Sequence, residues 1–319
     1  METKTISEFR SGNRIEGFFI IKSVECRVSS NNKRFLDLTL GDKTGDINSK
    51  VWDVSEEDEN KYKQNSLIKV RAAVIEWQNN LQLKIDKIRE AVPEDNVKIE
   101  DFVPSAPYPA EEMYNLVFEY IDKIKNEDIK NIVLEVLDDA GDKIMYWPAA
   151  KKNHHALRSG LLYHTTTMLR AGEKVSEIYT TLNTDLIYAG VILHDMAKLE
   201  EMLSSELGIV TDYSVEGQLI GHIVLGVEKI RKAAQKVNAD PEISMILEHM
   251  ILSHHYEAEY GSPKKPMFPE AEVLHHLDDM DAALFDMRKA LEGIEPGTMS
   301  DAVWSLDKRR IYKFKFDKK

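Results

Sequence analysis

The stretch Ala189-Gly-Val-Ile-Leu-His-Asp-Met-Ala-Lys-Leu199 decides how the second two thirds of the chain is read. An apolar run delivers His194 and Asp195 side by side, and Lys198 follows one helical turn after His194. Adjacent residues on a helix point about 100° apart, so this pair converges only on a point close against the helix, and a metal ion is such a point. A hydrogen-bonded core pair is the plainer reading of the dipeptide alone. Its company changes that balance: His164 in Gly160-Leu-Leu-Tyr-His-Thr165, His222 in Gly221-His-Ile223, the pair His254-His255, and Asp278 in Leu277-Asp-Asp-Met-Asp-Ala282 all fall within 115 residues. Most follow apolar runs. Buried imidazoles and carboxylates are costly unless paired or metal-bound, so the series points to one shared site.

Around that stretch the pattern is helical. Met113, Leu116, Val117, Tyr120, Ile121 and Ile124 form one stripe, and Ile129, Ile132, Val133, Val136 and Leu137 form the next, with Gly141 as its stop. These stripes report core packing. Further helices are expected at 161–179, 184–198, 214–236, 241–255, 269–292 and 299–305, and a basic aromatic tail at 311–319. Upstream, Pro93, Pro104, Pro107 and Pro109 make 93–109 a linker that neither continues a sheet nor starts a helix.

Residues 1–92 read differently. Extended runs fall within Arg14 to Val28, at Phe35 to Leu40 and, after the turn Gly41-Asp-Lys-Thr-Gly45, from Asp46 to Trp52. An acidic, helix-compatible stretch from Val54 to Tyr62 precedes two more strands, Leu67 to Trp77 and Leu81 to Arg89, joined across Asn79-Asn80. Five strands with a short helix between the third and fourth is the order of an OB-fold barrel. The expected architecture is therefore multidomain: a small N-terminal β-barrel at 1–92, then an all-α domain at 110–310. Lys33, Arg34, Phe35 and Trp52 are candidates for holding a single strand by stacking and phosphate contacts; barrel core is the competing role for the aromatics.

The chain of 319 residues carries a net charge of −13, unevenly spread: 16 Lys and Arg against 15 Asp and Glu in 1–92, and 26 against 40 in the rest. The acidity lies where carboxylates and a divalent metal would partly offset each other, and the balanced first part is free to face phosphates. The single cysteine, Cys26, excludes an internal disulfide framework and fits a reducing compartment. The start of the chain is polar, no apolar run approaches membrane-spanning length, and a cytoplasmic protein without a membrane partner is expected.

His164, His194-Asp195, His222, His254-His255 and Asp278, in that order, resemble the ligand series of the HD superfamily of all-helical metal-dependent phosphohydrolases. From Leu38 to Trp52 the chain resembles nucleic-acid-binding OB domains, through the pattern L-x-L-x-D-x-T-G-x-I-x-x-x-x-W. An OB domain ahead of an HD domain, with Trp147-Pro-Ala-Ala-Lys-Lys-Asn-His-His-Ala156 at its start and Tyr260-Gly-Ser-Pro263 after the paired histidines, resembles the YhaM family of bacterial 3′→5′ exoribonucleases. The resemblance implies two metals, with His164, His194, Asp195 and Asp278 on one, His222, His254 and His255 on the other, and Asp195 bridging; with a single metal, His164, His194, Asp195 and Asp278 suffice, and His222, His254 and His255 become phosphate contacts or core. It also implies Lys198 as a phosphate contact beside the catalytic Asp195, and favours Asp278 over Asp279 and Asp281 as the ligand. His154, His155 and Arg158 are candidates for phosphate or supporting contacts.

Mixed imidazole and carboxylate ligands suit Mn²⁺, Fe²⁺, Co²⁺ or Zn²⁺ better than Mg²⁺, and Mn²⁺ is expected. Three functions follow in order. The first is hydrolysis of single-stranded RNA, with single-stranded DNA as a second substrate to test, from the 3′ end to nucleoside 5′-monophosphates. The second is an HD-type nucleotidase or cyclic-nucleotide phosphodiesterase; the third is a nucleic-acid-binding regulatory protein, which would have no need of an intact ligand series. A homo-oligomer stays open.

Overall fold

The computed structural model describes residues 4–29, 31–55 and 61–316. It contains two compact units, Met1–Pro104 and Ser105–Lys319, and the proline-rich stretch 93–109 spans the division.

The first unit is a closed five-stranded barrel in the order β1-β2-β3-β5-β4, built from β1 (Arg14–Val28), β2 (Arg34–Asp42), β3 (Gly45–Trp52), β4 (Leu67–Trp77) and β5 (Asn80–Glu90). Neighbours are antiparallel except β3 and β5, whose parallel pairing closes the barrel. The alternation in β2 explains its placement: Leu36, Leu38 and Leu40 point inward to a core shared with Phe19, Ile21, Ile68 and Val70, while Phe35, Asp37 and Thr39 lie on the outer face. The last hairpin turns at Gln78-Asn79, both at positive φ, with Trp77 paired to Asn80. That two-residue turn, one position earlier than Asn79-Asn80, matches the twist of the flanking strands. The helix expected at 54–62 lies largely outside the described residues.

The second unit is helical: α1 (Ala110–Lys123), α2 (Glu127–Ala140), α3 (Gly160–Ile178), α4 (Thr184–Leu193), α5 (Lys198–Glu201), α6 (Val215–Leu219), α7 (His222–Val237), α8 (Pro241–Ser253) and α9 (Pro269–Ala290). The stripes of α1 and α2 are buried together with Leu161, Leu169, Ile187, Val191, Leu247 and Leu274 in one core. Two short ribbons interrupt the helices, β6 (Met202–Ser204) with β7 (Val210–Tyr213) and β8 (Met299–Val303) with β9 (Arg309–Tyr312). The second ribbon corrects two expectations. Residues 299–303 are strand rather than helix, because their backbone groups pair with Arg309–Tyr312, and Ile311 and Tyr312 are therefore not tail. Among the described residues no helix is long and apolar enough to cross a membrane.

Candidate metal centre

Five helix ends and interiors bring their side chains to one place in the second unit. Helix α4 stops at Leu193, and the chain through His194 to Ala197 tightens into i→i+3 hydrogen bonds, from Met196 N to Leu193 O, Lys198 N to Asp195 O and Leu199 N to Met196 O. This tight turn, rather than continued α-helix to Lys198, turns His194 and Asp195 toward a common point. His164 stands in the first turns of α3, His222 opens α7 just after Gly221 at φ 79°, His254 and His255 follow the last residue of α8, and Asp278 lies mid-way along α9.

The imidazoles are oriented alike. Nδ1 of His194 contacts Val191 O at 2.8 Å, Nδ1 of His254 contacts Ile251 O at 2.7 Å, and Nδ1 of His255 contacts Tyr260 O at 2.8 Å. Nδ1 of His222 meets Glu201 Oε1 at 2.9 Å and Nδ1 of His164 meets Asp281 Oδ2 at 2.7 Å. A carbonyl or carboxylate only accepts, so each Nδ1 carries the proton and donates it, which directs every Nε2 to the centre. This is the buttressing that metal-ligating histidines need.

At the centre, His164 Nε2 lies 3.2 Å from His194 Nε2 and 3.1 Å from Asp278 Oδ1. Asp195 turns one oxygen to each side: Oδ2 is 3.3 Å from His194 Nε2 and accepts from Lys198 Nζ at 2.7 Å, while Oδ1 is 3.6 Å from His222 Nε2. Asp278 Oδ2 is 3.9 Å from His255 Nε2. Donor atoms of His164, His194 and Asp195 fall within 4.8 Å of one another, and so do those of His222, His254 and His255.

Two observations test whether this set fits a cation. Among the described residues, Asp195 Oδ1, His222 Nε2 and His254 Nε2 are buried acceptors without a hydrogen-bond partner, a cost that native sites do not carry without cause. Charge gives the same answer. Burial works against a charge on His164, yet the Asp278 and Asp281 carboxylates hold its pKa up at about 10. Burial likewise opposes ionisation of Asp195, but Lys198 and His194 hold it well below the usual carboxylate range, and burial pushes His254 well below the imidazole range. The pocket thus demands positive charge where Nε2 of His164 and the two carboxylates converge, as a proton or as a divalent ion.

The other expected site residues are placed as follows. Lys198 is buried and its ammonium pairs with Asp195, so it belongs to the cluster. His154 is largely buried, its ring 5.8 Å from that of His164, with burial and then Lys198 pushing its pKa down to about 3. His155, expected as a substrate contact, is 1% exposed; its ring packs 4.0 Å from Phe285 and its Nε2 is 3.4 Å from Asp281 Oδ2. It approaches the same Asp281 oxygen that accepts from His164, which is the supporting role of the two expected for it. Arg158 donates to the Glu206 carbonyl and lies over the Tyr146 ring, holding the loop before β7.

The Trp147–Ala156 segment is tied to the site by Trp147 Nε1 donating to Lys198 O at 3.0 Å. Its return at Gly160 requires glycine, since a Cβ there would stand 2.0 Å from His155 O. Glu201 escaped sequence reasoning. It accepts from both N and Nδ1 of His222, 21 residues away, and no local pattern marks it.

In the barrel, Phe35 and Trp52 stack at 4.7 Å and 26°, as cross-strand partners on the outer face, with Lys50 Nζ 5.3 Å from the Phe35 ring. Trp52 is 43% exposed and Phe35 8%, so Phe35 backs a tryptophan that presents its face to solvent. Lys33 pairs with Asp53 at 2.7 Å, and Arg34 is exposed at the start of β2.

A mainly helical unit with clustered histidines and aspartates, following a closed barrel in the sequence, defines a class. Residues 161–283 match the HD domain model and residues 20–91 match the OB-fold nucleic acid binding domain model. The 3′-5′ exoribonuclease YhaM of Bacillus licheniformis is 42% identical over 96% of this chain and 97% of its own, that of Shouchella clausii 42% over 99% and 98%, and that of Bacillus subtilis 41% over 96% and 97%. The chain belongs to this YhaM family.

Proposed function

We propose that the chain is a metal-dependent 3′→5′ exoribonuclease that shortens single-stranded RNA, releasing nucleoside 5′-monophosphates, with the barrel supplying single-strand affinity and the helical unit the hydrolysis. One observation carries the reading: five imidazoles, each with Nδ1 committed to an acceptor, aim Nε2 at Asp195 and Asp278. Near-full-length similarity to relatives named exoribonucleases supports the substrate class.

His164, His194, Asp195 and Asp278 would hold one ion and His222, His254 and His255 the other, with Asp195 shared; Mn²⁺ suits such a mixed set, as do Fe²⁺, Co²⁺ and Zn²⁺. When bound, such a pair supplies Lewis-acid neutralisation of the phosphoryl oxygens and an acidified water. The chain's own residues do the rest. Lys198, anchored on Asp195, adds a cation where phosphoryl charge develops. Asp281 and Glu201 fix the ring planes of His164 and His222. His154, held neutral by burial, is an acceptor or donor at the rim. Trp52, backed by Phe35, offers a stacking face, with Lys33, Arg34 and Lys50 beside it for phosphates. A cytoplasmic location accompanies this reading.

The test is a time course with 5′-labelled single-stranded RNA, purified protein and Mn²⁺, beside a chelated control. A metal-dependent ladder shortening from the 3′ end is expected. Cleavage confined to mononucleotides or cyclic dinucleotides would overturn the reading.

A further inference from the structure

The end of the β8–β9 ribbon and the segment after it expose a row of aromatics. Tyr312 at the end of β9, and Phe314 and Phe316 in the segment that follows it, are all exposed, Phe316 by 73%, whereas Ile311 and Lys313 are half-buried. The rings of Phe314 and Phe316 stack at 4.5 Å and 16°. A segment that half-buries a lysine and leaves three aromatics to solvent is not explained by core packing. Charge narrows the explanation. Between Trp304 and Phe316 there are five Lys and Arg against one Asp, in a chain whose net charge is −13.

The ribbon is firmly held. Its pairing runs past β9, with Lys313 N donating to Thr298 O at 2.9 Å. Lys313 Nζ donates to Leu291 O at 3.2 Å, Arg310 Nε to Ser300 O at 2.9 Å, and Ser305 Oγ to Asp286 on α9. Asp286 lies eight residues along the same helix from Asp278, about 12 Å at 1.5 Å per residue. The aromatic strip is thereby tied to the helix that carries a metal-facing carboxylate.

We propose that this ribbon is a second single-strand RNA contact, on the helical unit itself, in which Tyr312, Phe314 and Phe316 stack on bases while Lys308 and Lys315 meet phosphates. Exposed aromatics interleaved with cations are the combination that holds single strands without regard to sequence, and local positive charge on an acidic protein selects a polyanion over another acidic surface. The proposal rests on the exoribonuclease reading for its choice of ligand but not for its test.

The experiment uses the full chain and its Phe314→Ala/Phe316→Ala variant, with Phe314→Leu/Phe316→Leu to keep apolar bulk without a stacking face. Affinity for a labelled 12-nucleotide RNA blocked against cleavage by phosphorothioate linkages is read by anisotropy. Turnover is measured on a 20-nucleotide RNA and on a dinucleotide. Both variants should bind about 10- to 100-fold more weakly and lose turnover of the long RNA to a similar degree, with the dinucleotide unaffected. Lys308→Gln/Lys315→Gln should flatten the plot of log affinity against log salt by about 1.4, because two phosphates then go without a cation.

Unchanged affinity overturns the proposal. So does a parallel loss on the dinucleotide, which means damage to the fold. So does intact RNA affinity with a smaller particle in light scattering, which assigns the strip to a second copy of the chain. If the wild-type protein trims neither substrate, the exoribonuclease reading has failed, and the anisotropy comparison still decides the ribbon.

Discussion

In the barrel, Lys33 and Trp52 are exposed and each already has a partner, Lys33 with Asp53 at 2.7 Å and Trp52 with the buried Phe35 at 4.7 Å. In the helical unit, the groups fitted to hold metal are buried, and Asp195 Oδ1, His222 Nε2 and His254 Nε2 have no partner. The difference is one of energetic stakes. An exposed pair in high dielectric contributes little and loses little when broken; a buried charge or acceptor is costly until its partner arrives. Substitutions in the two regions should therefore differ in size and in kind.

The largest effect is expected at Asp195. Asp195→Asn keeps a partner for Lys198 but removes the charge between the two histidine clusters; RNA hydrolysis should fall on the order of 10³-fold or more, with single-strand binding retained. Equal loss of binding, measured by anisotropy, would mean that the metal centre rather than the barrel holds the strand. Next come the buttresses. Asp281→Asn and Glu201→Gln leave every metal-facing atom in place but weaken the hold on His164 and His222, and each should reduce metal affinity about 10- to 100-fold. Calorimetric titration of Mn²⁺ checks this, and unchanged affinity would reduce both carboxylates to packing roles.

Trp52→Ala tests the barrel. Loss of a stacking face should weaken single-strand binding by about 1–3 kcal/mol, visible as a raised KM on long RNA with turnover of a dinucleotide unchanged. A fall in dinucleotide turnover would break the division of labour between the two units. The smallest effect is expected for Lys33→Gln, because its ammonium is already shared with Asp53 in an exposed pair; stability should change by at most about 1 kcal/mol, as read from urea denaturation. A larger change would show that surface pairing on this face carries more than the contrast allows.

How legible each region was follows from how local its determinants are. The barrel strands were readable because Leu36, Leu38 and Leu40 alternate against polar neighbours and Gly41 to Gly45 marks a turn. The last turn lies one residue before the expected Asn79-Asn80, because Gln78, Asn79 and Asn80 are all compatible with it and only the pairing of Trp77 with Asn80 selects the position. The histidine series was readable because each member ends or follows an apolar run. Its supports were not: Glu201 meets His222 across 21 residues and Asp281 meets His164 across 117, distances over which a single sequence carries no signal. Phosphate and supporting roles for His155 are equally open in the sequence, and only its packing against Phe285 and its approach to Asp281 show that it faces inward. Residues 299–305 looked helical for want of glycine or proline, although their partner strand, β9, starts only ten residues after Met299.

The proposed function places two ions at clusters that share Asp195. The most direct measurement is metal content by mass spectrometry after saturation with Mn²⁺ and removal of the excess, on the wild-type chain and on His254→Ala. Two ions per chain, falling to one in the variant, are predicted. A single ion at saturation in the wild-type chain, or two still bound without His254, would contradict it.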